Sequence, residues 1–451
     1  MILVLIASCA SNGLAEAVNT NTPSKPAVLT LTIEDCLELA LGGNVDIKIG
    51  KFNAERAKLE RLVQQEAFTS ILQLDLNQIT REAPSSSTFY GSDVLDEEES
   101  GAEARIFKKW GLGTETDLIW SYRRTESNSE FFRLNPSIEN SATLQVVQPL
   151  LQGFGMKVNK AELKRAQNNW TAARDELEIQ IEAELLNVFS LYWELVESRF
   201  AVELRQRQLT IAQDRLNMVQ AREKVGEATS LEVLQAQAAL AQAEEHRQLS
   251  LALARNKGEV LMSRIKPSVD PLVIAREKIL PTSLPPMTAP PHDVQAYEVL
   301  VDDAIKNRPE LRLADVRLSN ADLDVIIARD KTKPRIDLYG SYSFQGLSDA
   351  QGVSRDQVLD AEFPTYEVGA RLSRLFSSDI RKAALEQMMA SRDSTELRRQ
   401  QTIQEVVLEV RDARANLQTA IKQAEKTRLQ LAVAEQALQQ ETKALQVGRS
   451  T

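Results

Sequence analysis

Only two histidines, His246 and His292, and two cysteines, Cys9 and Cys36, are present in the 451 residues. Zinc centres and disulfide frameworks need such residues in closely spaced sets, and these four are too scattered to form one. His246 lies in the run Glu244-Glu245-His246-Arg247, which reads as the solvated face of a helix rather than a metal site. Gly153-Phe154-Gly155 supplies two glycines of a dinucleotide-binding loop, but Lys157 and Val158 stand where the third belongs, so the pair reads as turn glycines. No phosphate-binding loop and no serine or cysteine nucleophile motif occurs. No catalytic, cofactor-binding or metal-ligating residue is therefore expected. The chain is not an enzyme on this reading, and energy for any transport must come from a partner.

What remains is architecture. The formal charge is -10 and the pI near 5.2, without the concentrated basic surface that nucleic acid requires. With 17 glycines and 5% aromatics beside abundant Ala, Leu, Gln, Glu and Arg, the composition favours long helices. No apolar window of about 18 residues occurs beyond the N-terminus, so any membrane passage must use strands. Residues 1–17 read as an export signal. An apolar run from Met1 leads to Ile6-Ala7-Ser8-Cys9, which would make Cys9 a lipid anchor, and then to Ala15-Glu16-Ala17, an A-x-A-like cleavage site. Both readings stand, although a positively charged leading segment is missing.

The chain is expected to be a two-fold internal repeat. Ala40–Ile47 (ALGGNVDI) aligns with Ala304–Leu311 (AIKNRPEL) at a shift of 264, which also brings Ser70 onto Pro334. A shift of 222 brings Phe154 onto Phe376, Lys160-Ala161 onto Lys382-Ala383, and VGEAT at 225–229 onto VGRST at 447–451. Each half then runs helix, strand, strand, long helix, tip. The shifts differ by 42 residues, an insertion around 81–141 with an acidic loop at Asp93–Glu99 and a second strand-like pair. Residues 30–265 form the first repeat and 293–451 the second. Between them, 266–292 holds seven of the fifteen prolines, which forbids helix and suits an extended linker.

Thr32-Ile33-Glu34-Asp35 has the form of a capping box, predicting a helix from there to about residue 66. From 156 to 222 neither proline nor glycine occurs, permitting a helix of roughly 100 Å at about 1.5 Å per residue. Its apolar residues recur every seven positions: Ile181, Val188, Leu195, Val202, Leu209 and Leu216. Ile403, Val410, Leu417, Ala424, Leu431, Leu438 and Leu445 repeat that phase in the second half. Both stripes are read as coiled-coil packing surfaces and nothing more. After VGEAT, the Ala-rich segment 230–265 is a returning helix; Gly226 suits a left-handed helix end, and Thr229 or Ser230 a cap.

Alternation of period two marks the strands. Ile336, Leu338, Gly340, Tyr342 and Phe344 share one face of a strand, and Tyr366, Val368, Ala370 and Leu372 one face of its partner. Leu72, Leu74 and Leu76, with Ala142, Leu144 and Val146, do the same in the first half. A half-buried soluble sheet and a membrane barrel with a wet lumen both show this pattern. Four strands cannot close a barrel, whose minimum is about eight, so a membrane role requires several chains; three would give twelve. The extra pair, 102–108 and 116–122 around Trp110-Gly111-Leu112-Gly113, either adds strands to that barrel or forms a hairpin outside it.

Three strings, in this order and spacing, resemble the TolC-like outer-membrane efflux proteins over residues 30–451: LTIEDCLELALGGN from Leu31, QPLLQGFG from Gln148, and VGEATSLEVLQAQAALAQAE from Val225. The resemblance implies an α+β, mainly α fold. Very long antiparallel helical hairpins form a coiled-coil barrel, below short strands that contribute to a shared trimeric transmembrane β-barrel. It implies a homotrimer in the outer membrane and periplasm of a Gram-negative, diderm bacterium. This would conduct substrates passively for an inner-membrane pump through a periplasmic adaptor (membrane fusion) protein, in tripartite efflux or type I secretion. By the same likeness Val225, Gly226, Thr229, Val447, Gly448 and Thr451 are adaptor-docking tips and Glu232 lines the tunnel mouth, while Ile336, Leu338, Tyr342, Phe344, Tyr366, Val368 and Leu372 face lipid. The likeness also implies a second return helix after Thr451, so the sequence reads as C-terminally truncated. A periplasmic coiled-coil adaptor or scaffold without a barrel is the rival that the heptads alone would allow.

Overall fold

The computed structural model describes residues 28–84, 93–130, 132–266, 278–283, 295–374 and 378–446. Cys9, the export signal, most of the proline-rich linker and the second tip (Val447, Gly448, Thr451) lie outside the described residues. The chain divides into two compact units, one of residues 1–48 with 181–286 and one of 49–180 with 287–451.

In the first of these, strand β1 (Val28–Leu31) pairs in parallel with β6 (Lys278–Pro281). Helix α1 (Ile33–Gly43) begins at the expected capping box: Thr32 accepts from the Asp35 amide, and the Asp35 carboxylate accepts from the Thr32 amide at 2.8 Å. Here the expectation of one helix to residue 66 fails, because Asn44 ends α1 and starts α2 (Val45–Val63). Its side-chain oxygen accepts from the amides of Asp46 at 2.8 Å and Ile47 at 3.2 Å. A short polar side chain that bonds its own backbone thus outcompetes the next helical turn. Ile33, Cys36 and Ala40 pack with Val188, Tyr192 and Leu195 of α4 (Ala161–Lys224) and with Leu261, Met262 and Ile265 of α5 (Ser230–Ile265). Tyr192 is fully buried, yet its hydroxyl donates to the Leu31 carbonyl and accepts from the Ser283 amide. Both hydrogen-bonding needs of the phenol are met, as burial demands.

The second unit holds an antiparallel sheet in the order β2-β3-β4-β5-β7-β8, comprising β2 (Ile71–Pro84), β3 (Val94–Lys109), β4 (Glu115–Ser127), β5 (Ser137–Pro149), β7 (Arg335–Ser348) and β8 (Phe363–Ser373). One expectation is corrected and one open alternative is decided. Glu97 to Glu99 are strand rather than acidic loop, because Arg81 and Arg123 on the flanking strands face Glu97 and Glu99. The extra pair stands inside the sheet between β2 and β5, so one chain carries six strands in this sheet instead of four. The remaining helices are α3 (Met156–Asn159), α6 (Tyr297–Asn307), α7 (Pro309–Lys331), α8 (Gln351–Leu359) and α9 (Ser378–Gln446). The helix expected from 156 is thus interrupted at Lys160 before α4 runs on to Lys224.

Ion pairs fasten α7 within its unit. Arg312 bonds Asp175 at 3.0 Å and also Glu178, while Arg392 bonds Asp322 at 3.1 Å. The hydrogen bond to Asp175 raises the Arg312 pKa further above its ordinary value. Of the heptad stripe on α9, Ile403 and Val410 are half-buried and Leu417 and Leu431 are exposed. Among the described residues of α9, the deeply buried ones are Val406 and Ile421, three and four residues from Ile403 and Leu417 and so on the same side of the helix.

Burial, and secondarily the neighbouring Asp35, push the Cys36 thiol up to about 11. A raised acid pKa stabilises the fold below the ordinary thiol value, and that contribution is lost as pH climbs towards the folded value. In native protein at pH 8, Cys36 should stay unlabelled by iodoacetamide and become labelled in denaturant, read by mass spectrometry of its peptide. Rapid native labelling would contradict the buried position.

Candidate functional site

Sheet register decides which side chains share a face. In the antiparallel pairs, Leu72, Leu74 and Leu76 stand opposite Ile106, Ala104 and Ala102. These stand opposite Leu118, Trp120 and Tyr122. Leu118 and Trp120 then pair with Leu144 and Ala142, which pair with Tyr342 and Phe344. Gly340, Leu338 and Ile336 continue to Val368, Ala370 and Leu372, and Tyr342 to Tyr366. Because directly opposed residues point to the same side, one apolar belt runs unbroken across all six strands. Its large members are exposed: Leu74 68%, Leu338 45% and Val368 78%.

The opposite face is polar. It carries Gln73, Asp75, Arg105, Glu103, Asp117, Ser121, Arg123, Gln145, Thr143, Glu139, Ser341, Ser343, Glu367 and Arg371, with apolar residues interspersed, among them Ile71, Ile79, Leu95, Phe107, Ile119, Val147, Tyr339, Leu347 and Phe363. Charges on it are paired across strands. Arg123 meets Glu99 at 3.1 Å and Glu139 at 3.8 Å, Arg105 meets Asp117 at 2.5 Å, and the Arg371 guanidinium lies over the Tyr339 ring.

One end of the sheet is keyed to the helices through glycines. The β3–β4 turn closes with Trp110 donating to Thr114 and Gly113 to Trp110. It then docks on the loop after β5, where the Gly155 amide donates to the Leu112 carbonyl at 3.0 Å. The Asn159 side chain donates back to the carbonyls of Gly153 and Gly155, and the buried Asp330 accepts from the Gly153 amide at 2.7 Å while pairing with Lys333. Gly113 has φ +96° and its missing Cβ would fall 2.3 Å from the Gly153 carbonyl oxygen, so no other residue fits. The GFG string is therefore the turn that the sequence suggested.

The helical tip is equally defined. α4 ends in a Schellman arrangement, with the Glu227 amide donating to Arg222 and the Gly226 amide to Glu223, both at 2.9 Å, and Gly226 at φ +78°. Thr229 then caps α5 by accepting from the Glu232 amide at 3.3 Å. Leu216, Val233 and Ala236 close the hairpin behind it. Val225, Leu231 and Leu234 are left exposed at 70%, 64% and 62%. Tip and strand residues thus form two separate groups in the sequence: Val225, Gly226, Thr229 and Glu232 at the hairpin turn, Ile336 to Phe344 and Tyr366 to Leu372 on the belt. Sequence reasoning did not assign Ile106, Leu118, Trp120 and Tyr122 to that belt, although their alternation was readable. No grouping of His, Cys, Asp and Glu suited to a metal occurs among the described residues, and no helix among them is long and apolar enough to cross a membrane.

The sequence pattern of the outer membrane efflux proteins matches residues 117–257 and 300–451. The chain belongs to that family. Solved structures share its fold. A membrane protein from Pseudomonas aeruginosa has a TM-score of 0.63 at 18% identity, with 93% of this chain and 84% of that one covered. The Vibrio cholerae outer membrane protein VceC gives 0.61 at 17%, covering 93% and 87%. The Campylobacter jejuni CmeC outer membrane channel gives 0.62 at 13%, covering 93% and 77%. No curated protein matches. Membership in this TolC-like family makes the chain an outer-membrane transport protein of a diderm bacterium, in a family of channels rather than enzymes.

Gly155 has φ +104° with nothing within 4 Å of the point a Cβ would occupy, whereas Gly113 has both strain and a blocking carbonyl. With ψ at 151°, Gly155 sits in a backbone region that essentially only glycine occupies, and replacing it by Ala should cost on the order of 1–3 kcal/mol from the backbone alone. Gly113→Ala should lower the thermal midpoint of the detergent-solubilised protein by clearly more; equal midpoints would mean that the turn does not dock as described.

Proposed function

We propose that this outer-membrane efflux protein is the subunit of a homotrimeric duct that passively conducts substrates across the outer membrane and periplasm. The observation that carries the reading is the apolar belt on a sheet whose outer strands, β2 and β8, each pair on one side only among the described residues. Backbone amides and carbonyls at an open edge cannot be left bare in lipid, where no water replaces the missing partners. Strands from neighbouring copies supply those partners and enclose the polar face as a wet lumen. Ile336, Leu338, Tyr342, Phe344, Tyr366, Val368 and Leu372 then face outer-membrane lipid.

In this reading the two halves are an internal repeat, 30–265 and 293–451, joined by the linker 266–292. The helices wall the periplasmic part of the duct. Val225, Gly226 and Thr229, with the exposed Leu231 and Leu234 beside them, form the surface that receives a periplasmic adaptor, with Val447, Gly448 and Thr451 as their counterparts. Glu232, in the first turn of α5, lines the mouth. An inner-membrane pump supplies the energy, since the duct residues bear no chemistry that could. Cys9 is the candidate lipid anchor.

Leu338→Arg should impair insertion, because an arginine at the bilayer midplane costs roughly 2–4 kcal/mol on a barrel exterior, while Ser341→Arg on the polar face should assemble normally. Equal recovery of both as heat-modifiable oligomers on gels would mean that the faces are assigned the wrong way round. Val225→Glu, at an exposed tip position without the backbone strain of Gly226, should leave oligomers intact and abolish export; undiminished transport would remove the docking role of the tip.

A further inference from the structure

We infer that the hairpin of β3 and β4 is part of the membrane wall, so that each copy contributes six strands and the trimer closes an eighteen-stranded barrel. The inference rests on the shared barrel proposed above and goes beyond it in fixing what one subunit brings. A twelve-stranded trimer needs four strands per copy, and that count would leave 94–127 outside the wall.

Three observations place the hairpin within it. First, it is central: β3 pairs with β2 along 14 residues, and β4 with β5 from Glu115↔Val147 to Thr125↔Ser137. Expelling it would break both ladders, and β2 would lose its neighbour. Secondly, its side chains keep the parity of the sheet. Ile106 and Leu118 continue the row from Leu72 to Leu144, and Ala104 and Trp120 the row from Leu74 to Ala142. A hairpin lying outside the wall would have no reason to be apolar on that face and charged on the other, where Arg123 and Arg105 pair with Glu99, Glu139 and Asp117. Thirdly, its turn is anchored to the strand-to-helix junction through Gly113, Gly153 and Gly155, which sets the hairpin at the same height as β5.

Closure is consistent with this count. The six strands alternate in direction, so β8 of one copy runs opposite to β2 of the next, and the joint is an ordinary antiparallel pair repeated head to tail. β2 and β8 offer 14 and 11 residues for it. Barrel diameter grows roughly linearly with strand number, and barrels of about 16 to 18 strands leave an open aqueous channel. The pore in the outer membrane would be about half again as wide as one of twelve strands.

Fluorescence quenching by bilayer lipids brominated in the acyl chain tests the wall directly. The full chain is reconstituted with Trp110, Trp170 and Trp193 changed to Phe, leaving Trp120 as the reporter. Loss of most of its emission is expected, and little loss from a companion with Trp120→Phe and Ile119→Trp, whose reporter faces the lumen. Unquenched Trp120, or equal quenching of the two, would overturn the inference. Electron cryo-microscopy of the unmodified chain in nanodiscs gives a second readout should the tryptophan variants fold poorly. Six strands per copy in the wall is expected, and density for 94–127 outside a four-strand contribution would refute it. Copy number, counted from the same particles, tests the trimer separately: a number other than three sinks that reading without moving the hairpin.

Discussion

Hydrogen-bond register across the antiparallel sheet is the constraint on which the rest depends. A slip of one residue in any pair would carry its leucines to the charged face and its arginines to the apolar one. The register holds from β2 to β8 without a break in parity, through four hairpin-like steps and one long excursion between β5 and β7. Cross-strand ion pairs such as Arg123 between Glu99 and Glu139 help to specify it, since a shifted pairing would set like charges opposite each other. The docked glycine turn adds a mechanical stop at one end.

The helical parts are held differently. Of the ion pairs that tie α7 to its neighbours, Arg312 with Glu178 and Arg392 with Asp322 are partly exposed and contribute little each, whereas Asp175 is buried against Arg312. Stability in the first unit instead concentrates where Tyr192, Leu195, Leu261 and Ile265 are fully or almost fully buried. Farther along α9, Leu429, Leu431 and Val433 are exposed at 67%, 58% and 58%.

Much of this was legible in the residues themselves. The capping box at Thr32, the left-handed Gly226, the returning helix at 230–265 and the strands around 72, 144, 338 and 368 all followed from local rules of spacing and turn chemistry. The failures have two physical origins. Asn44 interrupts a helix through a side-chain bond to its own backbone, and the acidic run at 97–99 becomes strand because arginines from two other strands neutralise it. The second depends on neighbours that a local pattern does not reveal, and the first on a competition between bonds that spacing alone does not rank. The place of the β3–β4 pair was undecidable for a related reason: alternation says that a strand has two faces, whereas pairing says whose face it continues.

The β3–β4 pair also bears on how such walls vary in girth. Because a hairpin enters and leaves an antiparallel sheet on the same side, its insertion between β2 and β5 leaves the direction, sequence and chemistry of the two outermost strands untouched. In the shared barrel proposed above, circumference would therefore grow in steps of two ribbons per subunit while the seam between subunits, and the symmetry of the assembly, stay as they were.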